Sequence, residues 1–297
     1  MFQKKILSFV FVCTSFCATA QQTDTTDVMS QLEKQTDSGA TNYTKATFKT
    51  TRLVNGHSVE TLGKRVLDVR INHRFGTLNN GGYEFFGLDN ATMRLGFEYG
   101  LSDRFMIGVG RSTYQKTYDA FIKYKILRQS SGAVNMPFTV TYVGTGALMT
   151  LKWPVDDTVK NHVLSSRFSY SHQLIIGRKF SEGTSLQLMP TFVHRNLVAG
   201  ATEPNDIWAL GIGGRQKLTK RTSFNVEYYY QFNKVEGITN CLSLGFDIET
   251  GGHVFQLHFT NSTGMTERNF ITGTTGKWQK GDILFGFNLS RVFTLGK

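Results

Sequence analysis

The last strand-like run of the chain, residues 283–293, alternates between large apolar side chains and small or polar ones. Apolar residues occupy every second position from Ile283 to Leu289, and Phe293 keeps the same phase. In a β-strand, this alternation places the two kinds of side chain on opposite faces. A membrane-spanning β-barrel needs an apolar face toward lipid and a small or polar face toward water. In lipid, such strands must close into a barrel, because an open edge would leave backbone groups unpaired.

The same alternation recurs from Lys64 onward, in segments separated by turn-forming residues. We therefore predict an all-β fold, an antiparallel transmembrane β-barrel of about 12 strands, spanning residues 64–297. The predicted strands cover residues 67–75, 92–99, 105–110, 119–126, 138–142, 167–171, 185–193, 207–217, 224–231, 242–248, 255–259 and 283–293.

The connections between these segments alternate in length. Tight connections at 100–103, 181–184, 219–222 and 250–252 follow even-numbered strands, and long ones follow odd-numbered strands. Outer-membrane barrels have short periplasmic turns and long outer loops. The pattern predicts periplasmic N- and C-termini and an even strand count. The connections that depart from it are 113–117, which is short, and 128–137, which is long. The predicted long connections are 77–90, 145–163, 194–206 and 261–281.

The N-terminal region has the features of an export signal. Residues 1–5 are basic, residues 6–16 are apolar, and Ala18 and Ala20 form a small-x-small cleavage pattern. We predict a signal peptide over residues 1–20, with cleavage after Ala20. Residues 21–63 are predicted to be a flexible periplasmic lead segment that includes either a short strand over 47–54 or a plug.

Composition narrows the class of protein further. The chain carries 33 Lys and Arg against 22 Asp and Glu, a formal net charge of +11. The basic residues are scattered rather than clustered, which favours solvated loops and anionic lipid over nucleic acid. A mean hydropathy of −0.22 excludes a helical membrane protein but not a barrel, whose strands are half polar. Once the signal is removed, Cys241 is the remaining cysteine, and we interpret it as a small strand residue.

Sequence motifs for catalysis are absent. A lipid-modifying barrel enzyme needs a nucleophile beside a base, but no His is followed two residues later by Ser. His57 and Ser58 are adjacent and would therefore point to opposite faces. His253 and His258 are five residues apart, so they cannot chelate a metal together from one strand. We predict a non-enzymatic protein without a cofactor or a bound metal.

Charged residues of both signs fall on the face predicted to line the lumen. A strongly anion-selective pore would use a ring of one sign, whereas mixed charges favour ion pairs across a narrow barrel. This pattern is compatible both with a packed, weakly conducting lumen and with an open channel. The candidate lumen-lining residues are Arg70, Arg74, Arg94, Glu98, Lys123, Lys125 and Glu227.

Several stretches resemble an uncharacterised Gram-negative outer-membrane β-barrel family, a domain of unknown function. They include residues 72–76 (Asn-His-Arg-Phe-Gly), 86–90, 95–104 (Leu-Gly-Phe-Glu-Tyr-Gly-Leu-Ser-Asp-Arg), 251–261 and 281–291. The resemblance covers nearly all of the mature chain. It implies a barrel in the outer membrane and supplies no activity and no catalytic residues.

The first functional hypothesis is a non-enzymatic outer-membrane barrel, either a narrow pore for small solutes or a structural or adaptor barrel. The alternatives are a lipid-modifying outer-membrane enzyme and a secreted soluble β-sandwich that binds another molecule. Expected partners are outer-membrane lipids and the barrel-insertion machinery, which would recognise the C-terminal strand ending at Phe293. A small solute or an envelope protein is the further partner left open, and nucleic acid is not expected.

Overall fold

The computed structural model describes residues 40–153, 163–198, 200 and 202–296. The predicted signal peptide, its cleavage site and residues 21–39 of the lead segment lie outside the described residues. Twelve antiparallel strands in the described part form a closed barrel, in which each strand pairs with its neighbours in sequence. They are β1 (Val66–Thr77), β2 (Ala91–Gly100), β3 (Phe105–Ser112), β4 (Thr117–Leu127), β5 (Thr139–Met149), β6 (Phe168–Lys179), β7 (Thr184–Arg195), β8 (Asp206–Lys217), β9 (Thr222–Gln231), β10 (Cys241–Thr250), β11 (His253–Thr260) and β12 (Leu284–Thr294).

Strand β4 shows how the sequence alternation becomes two faces. Phe121 and Lys123 are buried, whereas Ile122 and Tyr124 between and beside them are exposed on the outer surface. The other strands repeat this pattern, so the outer face carries a band of large apolar side chains. Members of this band include Met93, Phe97, Ile107, Val109, Ile122, Leu174, Leu186, Leu188, Trp208, Ile212, Val226 and Phe246.

The first and last strands pair with each other and close the barrel. Asn288 of β12 lies opposite Asn72 of β1, and the Asn72 side-chain amide donates to Asn288 Oδ1 at 2.7 Å. A bulge between Leu284 and Gly286 adjusts the register at one end of this seam. The predicted antiparallel barrel of about 12 strands is confirmed.

The connections define two ends of the barrel. The turn end carries the tight turns after β2, β6, β8 and β10, and the loop end carries the longer connections that follow β1, β5, β7 and β11. The β3–β4 connection at the loop end is short, as the sequence indicated. At the turn end, the longer β4–β5 connection contains a short strand, Ser130–Gly132, which pairs with Thr41–Tyr43.

Residues 47–62, the lumen segment, lie inside the barrel. The strand considered over 47–54 does not form, and the β-type pairing here is one isolated bridge between Arg52 and His57. Every residue from 51 to 59 is buried. The segment contacts barrel strands on several sides through its own side chains and backbone, and a regular strand could not present hydrogen-bonding groups in all these directions.

The long β11–β12 connection also enters the barrel. Residues 261–281, the lumen loop, contain the short helix α1 (Glu267–Thr272), which packs against β6 and β7. Across the described ranges, no helix is both long and apolar enough to span a membrane. The apolar core combines residues of the lumen segment, of α1 and of the inner wall. Its members include Phe48, Leu53, Val59, Met106, Phe121, Val143, Ile175, Met189, Tyr229, Phe270 and Ile271.

Candidate functional site: the filled lumen

The lumen segment turns sharply around the side chain of Glu227, which β9 projects inward. The backbone nitrogens of Val54, Asn55 and Gly56 donate to the Glu227 carboxylate at 3.2, 3.2 and 3.0 Å. Three successive N–H groups that converge on one carboxylate form a concave backbone site for an anion. The wall therefore supplies the acceptor for three buried donors of a segment that has no regular secondary structure.

Asn55 also binds two neighbouring parts of the wall. Its side-chain amide donates to Ser243 Oγ of β10 at 2.8 Å and contacts Cys241 Sγ at 3.4 Å. Its Oδ1 accepts a hydrogen bond from the guanidinium of Arg74 on β1. Cys241 is buried and free, as expected for a small strand residue.

Arg74 joins the lumen segment to the lumen loop. Besides Asn55, its Nη1 donates to the carbonyls of Ser262 at 2.9 Å and Gly264 at 2.5 Å. His258 of β11 lies beside it, with its Nε2 3.4 Å from Arg74 Nε. The two inserted elements are thus held together by one buried guanidinium.

A second polar network surrounds Thr51 and Arg52. Glu98 of β2 accepts a hydrogen bond from Thr51 Oγ1 at 2.5 Å. The Glu98 carboxylate also forms an ion pair with Arg52, whose Nε lies 3.4 Å away. Arg70 of β1 donates to Thr51 Oγ1 at 3.2 Å. Lys123 of β4 donates to the Thr51 carbonyl at 2.9 Å. Every one of these charged groups is almost fully buried, so the network compensates their loss of solvation.

The lumen segment and α1 meet at Glu267. Its carboxylate lies 3.4 Å from Arg52 Nη1 and 3.5 Å from His57 Nε2. Burial raises the pKa of Glu267, although the Arg52 charge opposes this effect. Burial lowers the pKa of His57 well below its usual range, and nearby Arg and Lys charges lower it further. The imidazole packs edge-on against Phe121 at a centroid distance of 4.6 Å.

Uncharged wall residues complete the fastening of the segment. Gln187 of β7 accepts from the backbone nitrogen of Val59 at 3.2 Å and donates to the His57 carbonyl at 2.8 Å. Gln256 of β11 donates to the Leu53 carbonyl at 2.7 Å, and Asn288 donates to the Val54 carbonyl at 3.2 Å. These residues occupy inward positions of the strand alternation, which is the signal that could have identified them.

Glycines of the wall make room for the apolar side chains of the segment. A Cβ at Gly177 would come within 2.6 Å of Val59 Cγ1, and one at Gly213 would overlap Leu53. Gly56 of the segment itself packs against the Tyr229 ring, where a Cβ would lie 3.1 Å from Cζ and closer still to the hydroxyl. The fit between segment and wall is therefore tight at these three points.

The predicted lumen residues have different partners. Arg70, Arg74, Glu98, Lys123 and Glu227 are buried and contact the lumen segment. The structure places two others, Lys125 and Arg94, on the inner side of the wall as well. Lys125 Nζ lies 3.4 Å from the Glu60 carboxylate, nearer the turn end.

Arg94 binds within the wall instead. It forms a two-point ion pair with Asp119 of β4, including an Nε–Oδ1 contact of 2.9 Å. Phe293 lies near the end of β12 on the outer surface, with Arg291 4.8 Å from its ring centroid. No cluster of three or more His, Cys, Asp or Glu suited to a metal occurs in the described part of the chain.

The comparison with protein families decides the relationship. Residues 48–293 match the family described as a membrane-bound β-barrel domain, DUF5777. The chain belongs to this family. The resemblance seen in the sequence, to an uncharacterised barrel family of unknown function, is confirmed. No curated protein matches the chain.

Solved structures that resemble this chain include outer-membrane porins and an outer-membrane channel. The NanC porin is 9% identical, covers 77% of this chain and 100% of its own, with a TM-score of 0.49. The KdgM porin is 10% identical, with coverages of 77% and 99% and a TM-score of 0.45. An outer-membrane channel from Pseudomonas putida F1 is 15% identical, with coverages of 79% and 98% and a TM-score of 0.47.

Proposed function

We propose that this protein is a non-enzymatic outer-membrane pore for small polar solutes, and that the lumen segment closes it. Export by the signal over residues 1–20 and the apolar outer band support residence in the outer membrane. The alternating connection lengths support periplasmic termini and a turn end that faces the periplasm. The lumen segment then enters from the periplasmic side.

The observation that carries the proposal is the polarity of the wall behind the segment. Glu98, Lys123, Gln187, Glu227 and Gln256 all reach the segment through hydrogen bonds. If the segment moved out, water could hydrate each of these groups, whereas an apolar wall would be exposed unfavourably. A permanently filled interior would be at least as stable with apolar residues, because buried charges lose solvation. The wall therefore suits a lumen that is aqueous for part of the time.

The number of contacts to the segment favours a second candidate function, a closed structural or adaptor barrel. Hydrogen bonds from β2, β4, β7, β9 and β11 hold residues 51–59 on several sides. A segment held this way could serve only to stabilise the wall. Conductance separates the two functions.

The experiment is single-channel recording of the refolded mature protein in a planar bilayer, with Glu227→Ala as the test variant. Glu227→Ala removes the acceptor of three backbone donors, so we expect more frequent or longer openings than in the unmodified protein. Glu182→Ala is the matched control, because Glu182 is exposed at a tight turn. If the unmodified protein and Glu227→Ala are both verified to insert but give no current, the pore function is overturned and the structural barrel is favoured.

Three further features belong to this proposal. Outer-membrane lipids contact the apolar band, the barrel-insertion machinery recognises β12 through Phe293, and no enzymatic step is assigned to the lumen. Hydrolysis of labelled phospholipid by the pure protein would contradict a non-enzymatic lumen. Loss of outer-membrane assembly on changing Phe293 tests recognition by the insertion machinery.

A further inference from the structure

The inner faces of β5 and β6 carry hydroxyl groups that are buried and have no hydrogen-bond partner. Thr145, Ser169 and Ser171 are 6%, 3% and 3% exposed, and the hydroxyl of each is unpartnered. Thr145 lies opposite Ser171 in the β5–β6 register. Thr266, just before α1, lines the same gap, and its buried hydroxyl is also unpartnered. Buried hydroxyls normally find partners, so four of them around one gap indicate a place for a polar ligand.

One arginine lines this gap, and a second lies on the neighbouring strand β7. Arg268 of α1 lines the gap directly. Arg195 of β7 lies opposite Ser169 in the register, and its buried Nε has no partner. Burial lowers the pKa of Arg268, and the positive charge of Arg195 lowers it further. Two like charges beside unpartnered hydroxyls favour a negatively charged ligand.

The charged groups near the gap already have partners. Arg195 Nη2 donates to the Pro204 carbonyl at 2.8 Å and lies 3.4 Å from the Glu203 carboxylate, whereas its Nε lacks a partner. Glu267 also lines the gap, but its carboxylate faces Arg52 and His57. Arg268 Nη1 donates to the amide oxygens of Gln115 at 2.7 Å and Asn269 at 3.2 Å. Arg268 thus has neutral partners, which an anion could replace.

We propose that the gap between α1 and strands β5–β7 is a binding site for a small oxyanion, the carboxylate or phosphate group of a solute. Arg195 and Arg268 supply positive charge and planar N–H donors, and the Ser and Thr hydroxyls rotate to donate to the remaining oxygens. The proposal deepens the pore function and rests on it, because it assigns a solute class to the lumen.

The site requires a small movement of α1. In this conformation the gap has no room for a water molecule. α1 is also tied to β9, where Gln231 Nε2 donates to the Ile271 carbonyl at 2.8 Å and Phe270 packs on Tyr229 at a centroid distance of 5.1 Å. The side of α1 that faces β5 and β6 is where hydroxyls lack partners. An oxyanion that satisfies them stabilises a position of α1 farther from this wall.

The test is equilibrium binding to the detergent-refolded mature protein, measured by calorimetry with inorganic phosphate and with acetate. Glucose is the neutral comparison. We expect saturable binding of both anions and weaker or no binding of glucose. Arg268→Gln and Arg195→Gln should each weaken anion binding about tenfold, since each removes a charge-assisted contact. Ser171→Ala should weaken it about threefold, as one neutral hydrogen bond is lost.

Arg111→Gln is the matched control. Arg111 lies on the outer surface of β3 at the loop end, where its Nε donates to the Tyr118 hydroxyl at 3.2 Å. Its removal should leave anion binding unchanged. The proposal is overturned if the Arg268, Arg195 and Arg111 variants bind alike, if glucose binds as well as phosphate, or if no anion binds. Calorimetry does not depend on conduction, so binding by a protein that is silent in bilayers would support the site while the pore fails.

Discussion

Glu227 accepts a hydrogen bond at 3.0 Å from the backbone nitrogen of Gly56, and this contact joins the wall to the turn of the lumen segment. The carboxylate is buried on the inner face of β9, and Val54 and Asn55 donate to it as well. A buried carboxylate that accepts three backbone hydrogen bonds can hold an irregular turn in one conformation. This contact makes the position of the segment sensitive to one side chain of the wall.

Replacing Glu227 with Ala should expose the lumen segment to protease. Three buried N–H groups would lose their acceptor, at a cost of about 1–3 kcal/mol each. We expect trypsin to cleave after Arg52 faster in Glu227→Ala than in the unmodified protein, with the fragments identified by mass spectrometry. Glu182→Ala, altered at an exposed turn, should be cleaved at the original rate. Equal cleavage of both variants would show that Glu227 does not fasten the segment.

A methyl group at Gly56 should displace the segment, and removing the Tyr229 hydroxyl should partly restore it. The Cβ of an alanine at position 56 would overlap the Tyr229 hydroxyl and lie 3.1 Å from ring atom Cζ. We expect Gly56→Ala to lower the thermal unfolding temperature in detergent, and Gly56→Ala with Tyr229→Phe to recover part of the loss. A double variant no more stable than Gly56→Ala would mean that this overlap is not the cause.

Neutralising Asp119 should destabilise the barrel, because the buried Arg94 would lose its ion pair. The two side chains make a two-point contact between β2 and β4, with an Nε–Oδ1 distance of 2.9 Å. Breaking a buried pair on one side typically costs about 3–5 kcal/mol. We expect Asp119→Asn to unfold at a lower urea concentration than the unmodified protein. Unfolding is measured from the gel mobility of unheated samples. Glu182→Gln, which breaks an exposed pair with Lys179, should match the unmodified protein.

Acidification should loosen the lumen segment through His57. This residue belongs to the segment, and burial together with the charges of Arg52, Lys123, Arg94 and Arg70 holds its pKa well below the usual value of 6.5. Glu267 at 3.5 Å favours the charged form but does not outweigh these effects. Because the displaced state binds a proton more readily than the packed state, stability falls as the pH drops below 6.5.

Trypsin cleavage after Arg52 should therefore be faster at pH 5.5 than at pH 7.5, after correction for the activity of trypsin on a peptide substrate. His57→Asn removes the titrating group and should flatten this difference. An unchanged pH dependence in His57→Asn would assign the effect to a group other than His57.

A charged residue at Phe293 should lower the amount of protein that reaches the outer membrane. Phe293 ends the apolar alternation of β12 and lies on the outer surface, where a carboxylate would meet lipid or the insertion machinery. We expect Phe293→Asp to reduce the level in outer-membrane fractions and Phe293→Leu to preserve it. Normal levels of Phe293→Asp would show that the side chain is not needed for assembly.

The strands of the barrel could be predicted because lipid outside and polar groups inside impose a two-residue period on each of them. Lys123 and Ile122 on β4 illustrate this, since adjacent positions already differ in chemistry. Residues 47–62 lie inside the barrel and contact the wall on several sides, so no period appears in their sequence. The strand considered over 47–54 does not form for this reason.

The sequence predicted which wall residues face the lumen better than it predicted what those residues bind. The charges of Arg94 and Glu227 indicated the lumen, but not that one pairs with Asp119 and the other with backbone nitrogens of the segment. Gln187 and Gln256 were missed because neutral amides resemble any polar strand residue until the backbone groups they bind are known. The six-residue helix α1 is too short for a helical period to be visible in the sequence.

The seam between β12 and β1 also contacts the lumen segment. The lumen segment immediately precedes β1, whereas β12, which closes the wall against β1, is the last of the twelve barrel strands in the sequence. Asn288 of that last strand donates to the carbonyl of Val54. The side chain that joins β12 to Asn72 of β1 therefore also holds the lumen segment, so closure of the wall and fixation of the segment share one amide.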